Sequence, residues 1–308
     1  MISILVATYN GENYIADQLE SLLNQTYQNF KVFVRDDCST DNTLQVLERY
    51  HMQYPNKIYF SKSDSNSGSA KHTFFTLMLQ HKDDFVMLCD QDDVWKPNKI
   101  EISLCEMNRM RNQYGADTPI LVHTDLTVVD ENLSLINPSY KKMLDADYSR
   151  KKLNHLLSQN ILTGCTSMLN LPLANLINKE PEFCIMHDWW IIMVASCFGY
   201  ISGLDKQTMY YRQHKNNSVG AVNVKDIKYQ ISKALHSDDI RTALNDTYIQ
   251  AQNFLDVYQD KLSTEQVELI ENYISIPNLS KIEKIELLIR KDFFKNTLSR
   301  KVAQLLYI

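Results

Sequence analysis

Long apolar runs are missing from this sequence. The strongly apolar uncharged stretch Trp189 to Leu204 falls short of the roughly 20 residues a helix needs to span a bilayer, and it reads as a core helix followed by a strand. The start, Met1-Ile2-Ser3-Ile4-Leu5-Val6, has no basic region or cleavage site and is too short for a signal sequence. Positive charge is short as well. The 32 Lys and Arg face 37 Asp and Glu, a formal net charge of −5, so there is no overall positive field to grip nucleic-acid phosphates. Cysteine never occurs as a close pair at metal-knuckle spacing: Cys38, Cys89, Cys105, Cys165, Cys184 and Cys197 are scattered, several in apolar runs, which fits reduced, buried thiols in a cytosolic protein. Glycine is scarce too, and Gly68 in Asn66-Ser67-Gly68-Ser69-Ala70-Lys71 has the spacing of neither a Walker A loop nor a dinucleotide fingerprint. Repeats and low-complexity segments are absent. What is there, 44% hydrophobic and 22% charged residues over 308 positions, suits one large domain, or one domain with an appendage, around a real core.

Strand and helix signals alternate from the start. Ile2 to Ala7 reads as an interior strand left through Thr8-Tyr9-Asn10-Gly11-Glu12, and Tyr14 to Leu23 has helical spacing. Phe30 to Val34 is a second strand, ended by Arg35-Asp36-Asp37-Cys38-Ser39-Thr40-Asp41; Ile58 to Phe60 is a third, followed by the Gly68 turn and a helix through Leu79. The fourth, Asp84 to Leu88, runs into Cys89-Asp90-Gln91-Asp92-Asp93-Val94-Trp95. This order predicts a mostly parallel, doubly wound α/β sheet whose four polar turns meet on one rim. On extended backbone Asp90 and Asp92 share one face, and two adjacent acids repel unless a cation or a proton intervenes. Such an oxygen-rich pair suits Mg²⁺ or Mn²⁺ with a phosphate-bearing ligand. A solvated acidic turn capping the helix near Pro97 is the simpler alternative.

The stretches Ile4 to Gly11, Val34 to Asp41 and Asp90 to Trp95 resemble family-2 glycosyltransferases of the GT-A (Rossmann-like) fold, over roughly residues 1 to 220. Cys89 to Trp95, with His187-Asp188-Trp189-Trp190 and Tyr211-Arg212-Gln213-His214, resembles the rhamnosyltransferase-like branch that builds bacterial surface polysaccharides. The resemblance implies an inverting transferase using a dTDP- or UDP-linked sugar, best matched by dTDP-rhamnose, with a glycan acceptor, free or lipid-linked. It implies that Thr8, Tyr9, Asn10 and Glu12 lie along the nucleotide and that Asp37 accepts from the pyrimidine ring N–H. Gly68 and Lys71 would lie near the base or phosphates. Asp90 would face ribose or metal, and Asp92 would ligate the ion, with Asp93 a cap or secondary ligand. The processive-synthase Gln-x-x-Arg-Trp motif is absent, which implies one sugar per encounter.

Four later segments complete the expected site. In Leu121 to Leu126, His123 and Asp125 either line the sugar pocket or form a structural pair. In Asn160 to Thr166, Gly164 either admits a ligand close to the backbone or makes a turn. Asp188, where the family carries its catalytic acid, would be the general base, with His187 in place of the commoner glutamate and Trp189 at the acceptor; as an alternative, Asp188 caps the apolar helix that follows. His214 would complete the metal shell, and Arg212 and Lys215 would neutralise diphosphate oxygens. A catalytic domain over 1–222 is expected to precede a helical extension over 223–308. In its last part, Lys281 to Ile308, seven basic residues face three acidic ones, with Ile282, Ile285, Ile289 and Phe293 at helical spacing. That pattern fits a helix on an anionic membrane, a helix on the catalytic domain, or a homo-oligomer contact. A nucleotidyltransferase would want a Gly- and Arg-rich loop after the first strand, which is absent; a non-catalytic sugar-nucleotide scaffold is the remaining alternative.

Overall fold

The computed structural model describes residues 1–215 and 237–308. The expected boundary at 222/223, the helical pattern from Val224 and the loop residues Asn216, Asn217 and Ser218 lie outside the described residues. The described chain forms two compact units that exchange the chain more than once. One holds Met1–Tyr140, Leu162–Glu180 and the stretch from Gly199 to Lys215; the other holds Lys141–Ile161, Pro181–Phe198 and the stretch from Ser237 to Ile308. The segments around residues 150 and 190 belong with the C-terminal helices.

The first unit is built on one mixed sheet. Strands β1 (Ile2–Thr8), β2 (Phe30–Asp36), β3 (Ile58–Lys62) and β4 (Phe85–Asp90) run parallel in the order β3-β2-β1-β4, joined by α1 (Ile15–Leu23), α2 (Thr43–Gln53) and α3 (Ala70–Gln80). Every residue of β1 is buried, as an interior strand covered by helices on both faces requires. Thr8 pairs with Asp36, Asp36 with Lys62, and Ala7 with Asp90, so the four turns do leave one rim. Beyond the two-residue β5 (Val94–Trp95), α4 (Lys99–Tyr114) leads into β6 (Ile120–Asp130) and the short β7 (Leu135–Asn137). Sheet growth past β4 is not purely parallel. The four-residue β8 (Ser167–Asn170) slots antiparallel between β4 and β6, and β9 (Tyr200–Gln213) then runs parallel to β6 and antiparallel to β5.

The second unit is helical. Its apolar helix His187–Phe198 buries Trp190, Ile191, Ile192, Met193 and Val194, and Trp190 meets Phe254 edge-on at 5.1 Å. Phe254 lies on the long helix Ser237–Tyr258. The final basic stretch is two helices, Lys281–Lys291 and Leu298–Tyr307. The break has a local cause: Asp292 adopts the left-handed conformation at φ 50°, which the short polar side chain of Asp tolerates. Phe293 is buried against Tyr273 and does not share the surface stripe expected of it, whereas Ile282, Ile289, Leu298 and Leu306 are 64–78% exposed. Lys281 Nζ donates to the carbonyls of Leu305 and Ile308, tying the start of one helix to the end of the next. No helix among the described residues is long and apolar enough to cross a membrane.

Candidate active site

The rim of the parallel strands is a lattice of loop-to-loop hydrogen bonds. After β1, Asn10 N donates to Ser39 Oγ at 2.8 Å, Gly11 N to Thr43 Oγ1 at 2.8 Å and Glu12 N to Asp41 Oδ2 at 3.1 Å. The side chains answer in kind: Asn10 Oδ1 accepts from Thr40 N, and Glu12 Oε2 accepts from Asn42 N and Nδ2. Asn10 and Glu12, expected along the nucleotide, thus knit the first turn to the second. Tyr9 is 45% exposed at the rim. Asp37 is buried, and its carboxylate accepts from Ser67 N and Ser67 Oγ, which folds the Gly68 turn onto the second strand's end. Gly68 takes φ +69°, a conformation glycine adopts without steric cost, and Lys71 follows in the first turn of α3.

Gln91, the middle residue of Asp90-Gln91-Asp92, joins the acidic turn to the first loop. Its Oε1 accepts from Thr8 Oγ1 at 2.6 Å and Tyr9 N at 2.9 Å, and its Nε2 donates to Tyr9 O at 3.1 Å. Packing there is so close that a Cβ on Gly11 would stand 2.4 Å from Gln91 Oε1. Gln91 was passed over in the sequence because it titrates nothing; its position between two acids was the available signal.

The acids divide into two groups. β4 ends at Asp90 and the backbone turns at Gln91 and Asp92, so the alternation that would put Asp90 and Asp92 on one face stops there. Asp92 Oδ2 lies 2.8 Å from His214 Nε2, with both side chains largely buried. Asp90 instead gathers with Asp93 and Cys165, their ligand atoms within 4.8 Å of one another. Asp93 is fully buried. Burial first, then the charges of Asp92 and Asp90, push its carboxyl well above the usual range. Cys165 is pushed up by burial and then by Asp90. Beneath them Lys99 is wholly buried, 4.7 Å from the Trp95 ring centroid and 3.3 Å from Thr208 Oγ1, and burial lowers its pKa to about 8. A lysine in the first turn of a helix reads as surface, and nothing in its spacing marked it as core.

Arg212 is engaged within the protein. Its Nε donates to Asp92 O at 2.9 Å, Nη1 to Glu131 O at 2.7 Å and Nη2 to Asp17 Oδ2 at 2.9 Å, while its own N–H donates to Asp93 Oδ1 at 3.2 Å. With 4% exposure it is a strut rather than an open cation at the rim. His123 and Asp125 are both buried on β6, and Asp125 accepts from Ser139 Oγ, Gln207 Nε2 and Leu126 N. Gly164 opens a buried 3₁₀ turn, Gly164–Thr166, whose first carbonyl accepts from Ser167 Oγ.

In the helical unit, Asp188 stands in the first turn of its helix. Asp188 Oδ1 accepts from Trp189 N at 2.6 Å and Asn160 Nδ2 at 3.1 Å, and Trp189 Nε1 donates to Leu156 O at 2.6 Å. His187 is buried, and burial lowers its pKa to about 3, so its imidazole is neutral.

Comparison with known proteins bears on this geometry. The family model described as glycosyl transferase family 2 matches residues 3–162. The chain is 30% identical over 229 residues to the dTDP-rhamnosyl transferase RfbG of Shigella flexneri, covering 70% of this chain and 74% of that one. A 93-residue stretch, 30% of this chain and 16% of the relative, is 40% identical to the poly(ribitol-phosphate) β-N-acetylglucosaminyltransferase TarS of Staphylococcus aureus. The fold matches TarS residues 1–349 in complex with UDP-GlcNAc with a TM-score of 0.58 at 19% identity, over 99% of this chain and 91% of that one. It also matches a Pyrobaculum calidifontis mannosyltransferase in complex with GDP-Man and Mn²⁺, with a TM-score of 0.54 at 12% identity over 99% and 84% of the two chains. The mostly parallel sheet flanked by helices is the fold of the GT-A glycosyltransferases. The chain belongs to glycosyl transferase family 2 and is a glycosyltransferase.

Proposed function

We propose that the protein is a metal-dependent, inverting glycosyltransferase that moves L-rhamnose from dTDP-rhamnose to a hydroxyl of a growing surface glycan. The donor reading is carried by the similarity to a protein named dTDP-rhamnosyl transferase over 70% of the chain. The metal reading is carried by the 2.8 Å pairing of Asp92 with His214 at the rim. A carboxylate oxygen and an imidazole nitrogen suit a small divalent ion, and the nitrogen favours Mn²⁺ over Mg²⁺; Asp90, which gathers with Asp93 and Cys165, is proposed as a further ligand. When bound, such an ion neutralises charge on the departing nucleoside diphosphate.

The chain's own residues supply the rest. Tyr9 presents its ring to the base, and Asp37, held by Ser67, faces the pyrimidine N–H. Asp188 takes the proton from the acceptor hydroxyl as that oxygen bonds to the anomeric carbon and the sugar–diphosphate bond breaks, with the electron pair leaving on the diphosphate. One base and no nucleophilic carboxylate give a single displacement with inversion. The bonds from Trp189 N and Asn160 Nδ2 fix the orientation of the Asp188 carboxylate, which a positioned base requires.

A second reading, a UDP-N-acetylhexosamine or UDP-hexose donor, is favoured by the 40% identity to TarS over 93 residues. Calorimetric titration with dTDP-rhamnose, dTDP, UDP-GlcNAc and UDP, with and without Mn²⁺, separates the two. Metal-enhanced preference for dTDP-rhamnose supports the first reading, and preference for UDP-GlcNAc the second. No binding by any pyrimidine diphosphate would sink both and favour a scaffold.

We further propose that the protein works peripherally at the inner face of the membrane, where a lipid-linked acceptor is met. The support is the pair of terminal helices, whose exposed Ile282, Ile289, Leu298 and Leu306 lie in a segment with seven basic residues and three acidic ones in a chain of net charge −5. Flotation with phosphatidylglycerol vesicles, but not with phosphatidylcholine vesicles, is expected; loss of that difference, or concentration-dependent dimers instead, would refute it.

A further inference from the structure

The ring of His214 does not rest on its bond to Asp92 alone. It stacks on Tyr14, with centroids 4.5 Å apart and planes at 18°. The Arg212 guanidinium lies 5.0 Å from the Tyr14 centroid. Arg212 is in turn fixed by Asp17 Oδ2 and by the carbonyls of Asp92 and Glu131. Tyr14 and Asp17 are three residues apart at the start of α1 and so share a helix face. Tyr14 N also donates to Gly11 O at 3.0 Å. The stack therefore begins in the loop after β1 and ends at the acidic turn.

From this arrangement we infer that Tyr14 and Arg212 are positioning residues for the metal-ligating imidazole: Tyr14 sets the plane of the His214 ring so that Nε2 points toward Asp92, and Arg212 holds Tyr14. The inference rests on the reading that Asp92 and His214 take the divalent ion. An imidazole free to turn about two side-chain torsions must be ordered at the moment of coordination, and a pre-stacked ring has already lost that freedom. Residues that orient metal ligands without touching the metal typically carry 10–100-fold in affinity. Arg212 on this account acts through Tyr14 and not on the diphosphate.

The test is Mn²⁺ binding to the full chain with no donor or acceptor, read from the electron paramagnetic resonance signal of free Mn²⁺. Asp92→Ala is expected to abolish the binding. Tyr14→Leu keeps bulk but has no aromatic face, and it should bind Mn²⁺ about 10-fold more weakly; Tyr14→Phe, which keeps the face and loses only the hydroxyl, should bind like the unaltered protein. If Tyr14→Leu does not fold, as judged by circular dichroism, Arg212→Lys carries the same expectation, because it removes the planar group over Tyr14. Unaltered affinity in a folded Tyr14→Leu or Arg212→Lys variant, with affinity lost in Asp92→Ala, overturns the positioning role and leaves the metal site standing. Affinity unaltered in Asp92→Ala, or absent from the unaltered protein, overturns the metal site and this inference with it.

Discussion

The rim of the parallel strands and the Asp188 turn are built in opposite ways. At the rim, loops far apart in sequence hold one another by polar contacts: Asn10 with Thr40, Glu12 with Asn42, Gln91 with Thr8 and Tyr9. Asp188 sits instead at the head of an apolar helix beside a buried, uncharged His187, held by its own following N–H and by one amide from Asn160. A lattice of many weak ties spreads the loss of any one of them, whereas a single carboxylate proposed as the general base has no substitute. The two places should therefore fail differently.

The largest effect is expected at Asp188. Asp188→Asn should lower turnover about 10²–10⁴-fold while calorimetric affinity for the donor stays unchanged; retained turnover would remove Asp188 as the base. At the rim, Asp92→Ala should abolish the Mn²⁺ enhancement of donor binding and lower turnover with it, so binding and chemistry fall together there and separate at Asp188. Gly11→Ala should sharpen the view of the rim as a packed lattice. Its new methyl group meets Gln91 Oε1, and overpacking of this kind costs about 1–3 kcal/mol, measurable by urea unfolding.

The smallest effect concerns pH. His187 has its folded pKa lowered to about 3 by burial, against about 6.5 when unfolded. Between those values the unfolded chain binds more protons, so stability is fully present above about pH 6.5 and declines as pH falls toward 3. His187→Gln should flatten that slope in urea unfolding followed from pH 7 to pH 5, and an unchanged slope would show that other groups set it.

How far the sequence could be read follows the same contrast. The parallel strands and their turns were legible because buried β-branched runs ending in Asp, Asn and Thr leave little choice of structure, and Asp37 and Asp92 stand where the motifs put them on the rim. The shared face of Asp90 and Asp92 was misread because alternation holds only while the strand continues, and β4 stops at Asp90. β8 escaped notice because four residues carry too little periodicity to register. Arg212 looked like a phosphate ligand because charge in a polar loop suggests solvent, yet its partners Asp17 and Glu131 come from segments that no local pattern brings near it. The terminal helix was read as one because the left-handed turn at Asp292 leaves the apolar spacing intact.

The contact between Gly11 and Gln91 constrains how relatives can diverge. The first loop and the acidic turn meet where a Cβ on Gly11 would displace the end of the Gln91 side chain, and with it the bonds to Thr8 and Tyr9. A sequence carrying a larger residue at position 11 is expected to carry a shorter one at position 91, and the Thr8 hydroxyl and Tyr9 amide would then need another acceptor. Correlated exchange at these two positions across the family would be the evolutionary trace of that contact.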